Sequence, residues 1–113
     1  MQKKYKIKYT YSNRDDIRRM KKYILENFKY RELGENFTKK IKTAVDELKT
    51  FSTVYNKTGI RYRGYDIYLK PYRTYLLFYI VNESLSVVTI LRVLKDGMNW
   101  QYILKRWIHE QDK

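Results

Sequence analysis

Basic and aromatic side chains alternate through the second half of the chain, and together they could bind or process nucleic acid. The cations are Arg61, Arg63, Lys70, Arg73, Arg92, Lys95, Lys105 and Arg106. The rings between them are Tyr62, Tyr65, Tyr68, Tyr72, Tyr75, Tyr79 and Tyr102. Basic groups neutralise phosphates and tyrosine rings stack on bases, which is how sequence-tolerant RNA and single-strand binders hold their ligands. The same cations could stabilise the charge of a phosphoryl-transfer transition state. For any single tyrosine, packing within a strand is the simpler explanation.

Other kinds of chemistry find little support in the sequence. It contains no glycine-rich phosphate loop, no HExxH motif and no nucleophile elbow. The single histidine, His109, lies in the last few residues and has no fixed partner in sequence. Cysteine is absent, which excludes disulfides and thiolate metal sites. We therefore expect no metal and no cofactor.

The charge of the chain predicts an anionic partner. The 113 residues carry a formal net charge of +13, which attracts nucleic acid, anionic membranes or an acidic protein. Lysines alternate with apolar residues at the N-terminus, and the longest apolar run, 75–81, is far shorter than the about 20 residues that cross a bilayer. We expect a single cytoplasmic domain over residues 1–113, with no role for a membrane.

The element around which the sequence is organised is a predicted three-stranded antiparallel meander over 65–94. The run 74–81 is apolar or aromatic at almost every position, as in a strand covered on both faces. The short polar break 82–84 fits a hairpin loop, and 85–94 is rich in β-branched residues. Residues 4–11 alternate with period two and predict a further, half-exposed strand.

Helices are predicted on either side of this sheet. Ser12 followed by Asp15 predicts an N-cap for a helix over 13–28, whose apolar stripe is Ile17, Met20, Ile24 and Phe28. A second apolar stripe predicts a helix over 36–51. Residues 52–58 read as a polar connector, and 98–108 as a short terminal helix whose apolar stripe packs on the sheet or docks a partner. The fold class is α+β in the order β-α-α-β-β-β-α, with a helical hairpin on a mainly antiparallel four-stranded sheet.

This order, the small basic chain and two particular strand runs resemble the RelE/ParE toxin superfamily of bacterial type II toxin–antitoxin modules. The runs are residues 75–83 (YLLFYIVNE) and 87–93 (VVTILRV). The opening residues 5–10 and Trp100, two residues after Met98, also fit. The resemblance implies a cognate antitoxin, typically acidic, which masks the toxin and makes the contacts of the complex with its own operator DNA.

The superfamily divides by target, and the residues leave both targets open. RelE-like members cut mRNA on the ribosome, which is our first expectation; ParE-like members poison DNA gyrase, which is the alternative. By resemblance to the RelE-like pattern, the catalytic candidates are Lys95, Tyr102 and Arg92. The candidates for binding nucleic acid or phosphate are Arg61, Arg63, Tyr68, Lys70 and Arg73.

Several RelE-like positions are not matched, which weakens the endonuclease expectation. The third strand has Leu76 where an arginine is expected, and Asp96 follows Lys95 in place of another arginine. A general nucleic-acid-binding module, recognised by steeply salt-sensitive binding, is the third possibility.

Overall fold

Five strands and three helices form within residues 4–28 and 30–111, the residues that the computed structural model describes. Their order is β1 Lys6–Tyr9, α1 Tyr11–Phe28, α2 Arg31–Phe51, β2 Asn56–Tyr62, β3 Tyr65–Tyr72, β4 Tyr75–Asn82, β5 Val87–Lys95 and α3 Trp100–Gln111. The strands form one sheet in the order β1-β5-β4-β3-β2. Strand β1 pairs in parallel with β5, and the remaining neighbours are antiparallel. The α+β class and the predicted meander, which is β3–β4–β5, are confirmed.

The predicted count of four strands is wrong, because residues 56–62, which begin inside the predicted connector, form an edge strand, β2. Only the inner side of β2 pairs, and its pairing with β3 is interrupted between Lys57 and Arg61. The Thr58 hydroxyl accepts the Ile60 amide at 3.0 Å inside this interruption. Residues 56–59 are polar or glycine, as is common in an exposed edge strand with a bulge. Strand β2 was not predicted because it lacks the apolar alternation that marks the other strands.

Helices cover both faces of the sheet, each over its own apolar cluster. On one face, α2 buries Phe37, Ile41, Ala44, Val45 and Leu48 against β1, β4 and β5. On the opposite face, α3 buries Leu104 and Trp107 against a cluster that includes Ile67, Phe78 and Leu91. The predicted packing of the terminal helix on the sheet is therefore confirmed.

Helix α1 begins at a different cap from the predicted one. The Thr10 hydroxyl accepts a hydrogen bond from the Asn13 amide at 3.0 Å, and the Thr10 carbonyl accepts one from the Arg14 amide at 3.2 Å. Thr10 is thus the N-cap. The hydroxyl of Ser12, the predicted cap, instead accepts the indole N–H of Trp107 at 2.7 Å and so ties α1 to α3.

Helix α2 begins at Arg31, five residues before the predicted start, and includes Gly34. Gly34 falls between the two predicted helices, 13–28 and 36–51, but in the structure it lies where the two helices of the hairpin approach closely. A Cβ at Gly34 would stand 3.2 Å from Leu25 Cδ2 and 3.3 Å from Leu25 Cγ. Glycine therefore permits this contact rather than ending the helix.

The core contains a fully buried tyrosine hydroxyl, that of Tyr79 on β4. It donates to the Ser52 carbonyl at 2.6 Å, just after the end of α2, and the Tyr79 side chain is fully buried. Burial, with smaller contributions from Tyr55 and Tyr68, raises the pKa of Tyr79 well above its ordinary value.

We expect Tyr79→Phe to lower the free energy of unfolding at neutral pH by about 1–3 kcal/mol, because the Ser52 carbonyl loses its buried donor. The pKa of Tyr79 is higher in the folded than in the unfolded state, so its contribution is present below about pH 10 and lost as pH rises further. Urea unfolding from pH 7 to 11 should show a smaller alkaline loss in Tyr79→Phe. An alkaline loss equal to that of the unaltered chain would contradict this account.

Candidate functional site

The residues predicted to contact nucleic acid are divided between the two ends of the sheet. Arg61 and Arg63 lie at the β2–β3 turn, whereas Arg73 lies at the β3–β4 turn and Lys95 ends β5. Strand β3, which separates the two turns, has eight residues and is therefore about 23 Å long at about 3.3 Å per residue. The structure brings Arg73 and Lys95 to one end and leaves Arg61 and Arg63 at the other.

The two turn arginines have the same unusual local arrangement. Arg63 and Arg73 have φ values of 50° and 56°, in the left-handed region that favours glycine. Each guanidinium lies over the ring of the tyrosine before it, 5.0 Å from the Tyr62 centroid and 5.6 Å from the Tyr72 centroid. Both side chains are exposed, so each presents a cation at a hairpin tip.

Arg61 is already engaged within its own hairpin. Its guanidinium donates to the Gly64 carbonyl, and its Nε lies 3.7 Å from the Asp66 carboxylate across the β2–β3 ladder. Lys57 approaches the other oxygen of the same carboxylate at 3.5 Å. This cluster is exposed, but a phosphate would have to compete with the Asp66 carboxylate to bind either cation.

Tyr68 lies on the sheet face that α2 covers. The Tyr68 ring stacks on the Tyr79 ring, with the two centroids 5.3 Å apart, and the Lys57 ammonium lies 5.9 Å from the Tyr68 centroid. The ring is half-buried. Its face against Tyr79 is therefore occupied by core packing and is closed to a base.

Lys70 is buried, contrary to the expectation of a surface cation. Its side chain is only 2% exposed, and its ammonium donates to the Ala44 carbonyl at 2.7 Å and to the Glu47 carboxylate at 2.8 Å. The rings of Tyr55 and Tyr72 lie 5.2 and 5.9 Å from the same ammonium. Lys70 therefore fastens β3 to α2, and in this structure it cannot bind phosphate.

Arg92 is also held in an internal ion pair, although it was expected to act in catalysis. Its Nε and Nη2 donate to the two oxygens of Asp16 on α1, at 2.7 and 2.8 Å. Its guanidinium lies 5.9 Å from the Trp107 ring of α3. Both partners of the pair are largely buried. The geometry assigns Arg92 to joining α1, β5 and α3.

Asp16 has a second role that sequence reasoning missed. Strand β5 contains an irregularity at Leu91, where the register against β4 shifts between Phe78 and Tyr79. The Val93 amide beyond this bulge donates to Asp16 at 3.1 Å, and the Leu91 carbonyl accepts the Thr10 hydroxyl at 2.6 Å. No sequence signal separates Asp16 from its partly buried neighbour Asp15, which pairs with Arg19.

A cleft of about 650 Å³ opens between α1 and the end of β5. Its walls are mainly apolar, and cationic side chains lie among them. The lining residues are Asp16, Arg19, Met20, Tyr23, Ile24, Phe28, Tyr75, Arg92, Val93, Leu94, Lys95, Met98 and Ile103. Its size is ordinary for a binding cleft, and exposed apolar walls of this kind indicate a surface that a partner covers.

Two of the predicted catalytic residues, Lys95 and Tyr102, are exposed, but only Lys95 lines the cleft. Lys95 has no ion-pair partner within residues 4–28 and 30–111. Tyr102 lies one turn into α3, where its amide donates to the capping Asn99 side chain at 3.3 Å. The pKa of the Arg106 guanidinium is raised, mainly by its hydrogen bond to Glu110 and to a smaller extent by one to Tyr102.

The described part of the chain offers no cluster of side chains for further acid–base or metal chemistry. His109 is exposed near the end of α3. No group of three or more carboxylates or histidines able to hold a metal ion occurs in residues 4–28 and 30–111. Within the same residues, no helix has the length and apolar character needed to cross a membrane.

Comparison with known proteins identifies the family. Residues 7–100 match the model of the ParE toxin of the type II toxin–antitoxin system parDE. The chain belongs to the ParE toxin family. No curated protein matches the chain. The match ends at Trp100, the first residue of α3, so Tyr102 lies beyond the part of this ParE-family toxin that the family model covers.

Solved structures of toxin–antitoxin systems share the fold of this ParE-family toxin. A chain of the chromosomal ParDE system from P. aeruginosa has a TM-score of 0.67 at 13% identity, over 82% of this chain and 97% of that chain. A chain of the RelBE2 toxin–antitoxin complex from Mycobacterium tuberculosis has a TM-score of 0.58 at 18% identity, over 85% of this chain and 95% of that one. At these identities the likeness establishes the fold and not the target.

We expect Asp16→Ala to lower the free energy of unfolding by about 3–5 kcal/mol, because it leaves Arg92 and the Val93 amide buried without their acceptor. Asp15→Ala is the matched control, since it removes an ion pair whose cation, Arg19, is 80% exposed, and it should lower stability by less than about 1 kcal/mol. The double variant Asp16→Leu/Arg92→Met should recover much of the loss. Equal losses in Asp16→Ala and Asp15→Ala, measured by urea unfolding, would contradict the assigned role.

Proposed function

We propose that this ParE-family toxin stops bacterial growth by binding DNA gyrase rather than by cutting RNA. The observation that carries the proposal is the internal engagement of Lys70 and Arg92, two of the cations predicted to bind or cleave RNA. Lys70 is bonded to α2, and Arg92 is held by both oxygens of Asp16. The family match supports the same choice, because ParE-like members poison gyrase without a fixed catalytic set.

A surface suited to protein binding surrounds the cleft on α1. Tyr23, Phe28 and Met98 line the cleft and are each about half exposed. Large aromatic side chains in such positions supply much of the binding energy of protein interfaces. We assign the target contact to this cleft and to the exposed end of α1.

A cognate antitoxin would mask the same surface. The net charge of +13 favours an acidic partner, and the ammonium of Lys95 at the cleft, which has no ion-pair partner among the described residues, offers a contact for a carboxylate. An amphipathic acidic segment fits both the apolar walls and this cation. We place the contacts of the complex with operator DNA on the antitoxin, and the toxin in the cytoplasm, where gyrase lies.

We expect the purified chain to trap gyrase on plasmid DNA, so that linear DNA accumulates after protein denaturation. Tyr23→Ala should reduce this linear product at least about tenfold, since an aromatic hot spot contributes about 2 kcal/mol or more. Tyr11→Ala is the control, because Tyr11 is 76% exposed on the same helix but lies outside the cleft, whereas Tyr23 is 56% exposed within it. Absence of gyrase-dependent breakage would refute the proposal, and equal loss in both variants would refute the assigned surface.

Ribosome-dependent mRNA cleavage is the second candidate. The observation in its favour is that Lys95 and Tyr102 are both exposed and therefore open to a ligand. In that mechanism Lys95 would stabilise phosphate charge and Tyr102 would position the nucleotide or take part in proton transfer.

This second candidate predicts new 5′ ends inside translated messages within minutes of induction in a bacterial host. Lys95→Ala and Tyr102→Phe should each abolish these ends while leaving the fold intact. Lys105→Ala is a suitable control, because Lys105 is exposed on α3 outside the cleft. Growth arrest without new 5′ ends would exclude this function and favour gyrase.

A further inference from the structure

Two exposed cations stand together at the end of the sheet that borders the cleft. Arg73 forms the tip of the β3–β4 turn, and Lys95 ends β5 and lines the cleft. Lys95 pairs across the sheet with Tyr75, two residues beyond Arg73. With about 3.3 Å per residue along a strand and about 5 Å between paired Cα atoms, the Cα atoms of Arg73 and Lys95 lie within about 12 Å of each other. Both side chains can therefore contact one extended anion.

Both cations lie on the face of the sheet that carries the helical hairpin. Tyr75, which pairs with Lys95 and lines the cleft with it, packs against the core beneath α2. The Arg73 guanidinium lies 5.6 Å from the ring centroid of Tyr72, which packs against the same core. The rim of the cleft is therefore positively charged on the side of the β3–β4 turn.

The two charges are not compensated by ion pairs within residues 4–28 and 30–111. Neither Arg73 nor Lys95 lies within ion-pair distance of a carboxylate there. The carboxylate next in sequence, that of Asp96, accepts a hydrogen bond from the Gly97 amide at 2.9 Å. Arg73 and Lys95 are therefore open to an anion from outside the chain.

The backbone at Arg73 is strained in a way that is common at binding sites. Its φ of 56° is unfavourable for a residue other than glycine, and such residues are concentrated where function requires them. Arg63, at the opposite end of the sheet, has a similar φ of 50°. Its hairpin, however, also carries the Asp66 carboxylate, 3.7 Å from Arg61 and 3.5 Å from Lys57. The end with Arg73 therefore offers the less compensated positive charge.

We propose that Arg73 and Lys95 bind backbone phosphates of duplex DNA, so that the toxin contacts the DNA held by its target as well as the target itself. This contact rests on the proposed function, in which the adjoining cleft binds gyrase. Phosphates follow one another every 3.4 Å of helix axis along each strand, so two long side chains at this separation span neighbouring phosphates. The planar guanidinium suits two phosphate oxygens, and the ammonium acts as a point charge.

The rings beside the two cations favour a duplex over a single strand. Single-stranded nucleic acid is held by aromatic rings on which its bases stack. The Tyr72 ring is half-buried, with the Arg73 guanidinium and the Lys70 ammonium both within 5.9 Å of its centroid. The Tyr75 ring is also half-buried and packs on Phe37, with the two centroids 5.0 Å apart. These rings form no open stacking platform, so the cations are suited to a phosphate backbone whose bases are already stacked.

The test measures binding of the full chain to a fluorescein-labelled duplex of about 20 base pairs, by fluorescence anisotropy without gyrase and at several salt concentrations. Each phosphate contact releases about 0.9 counterion, so Arg73→Ala and Lys95→Ala should each reduce the slope of log Kd against log salt by about 0.9. At about 0.1 M salt the same release corresponds to a roughly eightfold weaker affinity. Arg63→Ala is the matched control, because Arg63 has the same charge, backbone conformation and tyrosine contact at the opposite end of the sheet. It should change neither the slope nor the affinity.

Three results would overturn the proposed DNA contact. One is the absence of duplex binding at about 50 mM salt. Another is an equal effect of Arg63→Ala, Arg73→Ala and Lys95→Ala, which would indicate diffuse attraction to the net charge. The third is tighter binding of a single strand of the same sequence, as DNA or as RNA.

The contact with DNA and the contact with gyrase are separated by the Tyr23→Ala variant. Tyr23→Ala should bind the duplex as tightly as the unaltered chain while losing the gyrase-dependent linear product. Duplex binding that depends on Arg73 and Lys95, without any gyrase-dependent breakage, would refute gyrase as the target and support the DNA contact. Breakage by a chain that does not bind the duplex would refute the DNA contact and support the target.

Discussion

The carboxylate of Asp16 holds the helical hairpin to the sheet, and the shape of the molecule depends on that contact. One side chain accepts three hydrogen bonds: two from the Arg92 guanidinium and one from the Val93 amide. The third bond exists because the bulge at Leu91 shifts the register of β5 against β4. Charge-assisted and bidentate bonds are among the strongest available to side chains. The Trp107 ring beside Arg92 extends the same contact to α3, on the opposite face of the sheet.

This polar anchor explains why α1 is so poorly covered. The buried residues of α1 are Asn13 and Asp16, whereas in its predicted apolar stripe Ile17, Met20 and Ile24 are half-buried and Phe28 is exposed. A helix held by apolar packing alone would have to bury that stripe. Because Asp16 and the Thr10 cap fix α1 by hydrogen bonds, its apolar side chains remain available. Met20 and Ile24 line the cleft, so the weak coverage of this helix helps to form the proposed binding surface.

The parts of the fold that the sequence predicted are those whose burial leaves a periodic signal. Strand β4 is buried on both faces and reads as a continuous apolar run, while α2 has a stripe matched to a single covering face. Edge strand β2 has neither signal. The burial of Lys70 could not be predicted, because the face of β3 that it shares with Tyr68 and Tyr72 has the mixed composition of a solvent-exposed face. Its neutralising partner, Glu47, is 23 residues away on α2, and no local pattern reveals such a pairing.

The same distinction applies to function. Charge and strand pattern identify a basic toxin of this family, but they do not distinguish a cation that faces a ligand from one that holds the fold together. Lys70 and Arg92 stabilise helix–sheet contacts, and Arg63 and Arg73 stand at opposite ends of the sheet. Arg92 and Lys95 both line the cleft, but Arg92 is held there by Asp16. Electrostatic catalysis requires charges preorganised within hydrogen-bond distance of one reacting group. Dispersed cations instead raise the rate of encounter with an anionic partner, which suits a protein that acts by binding.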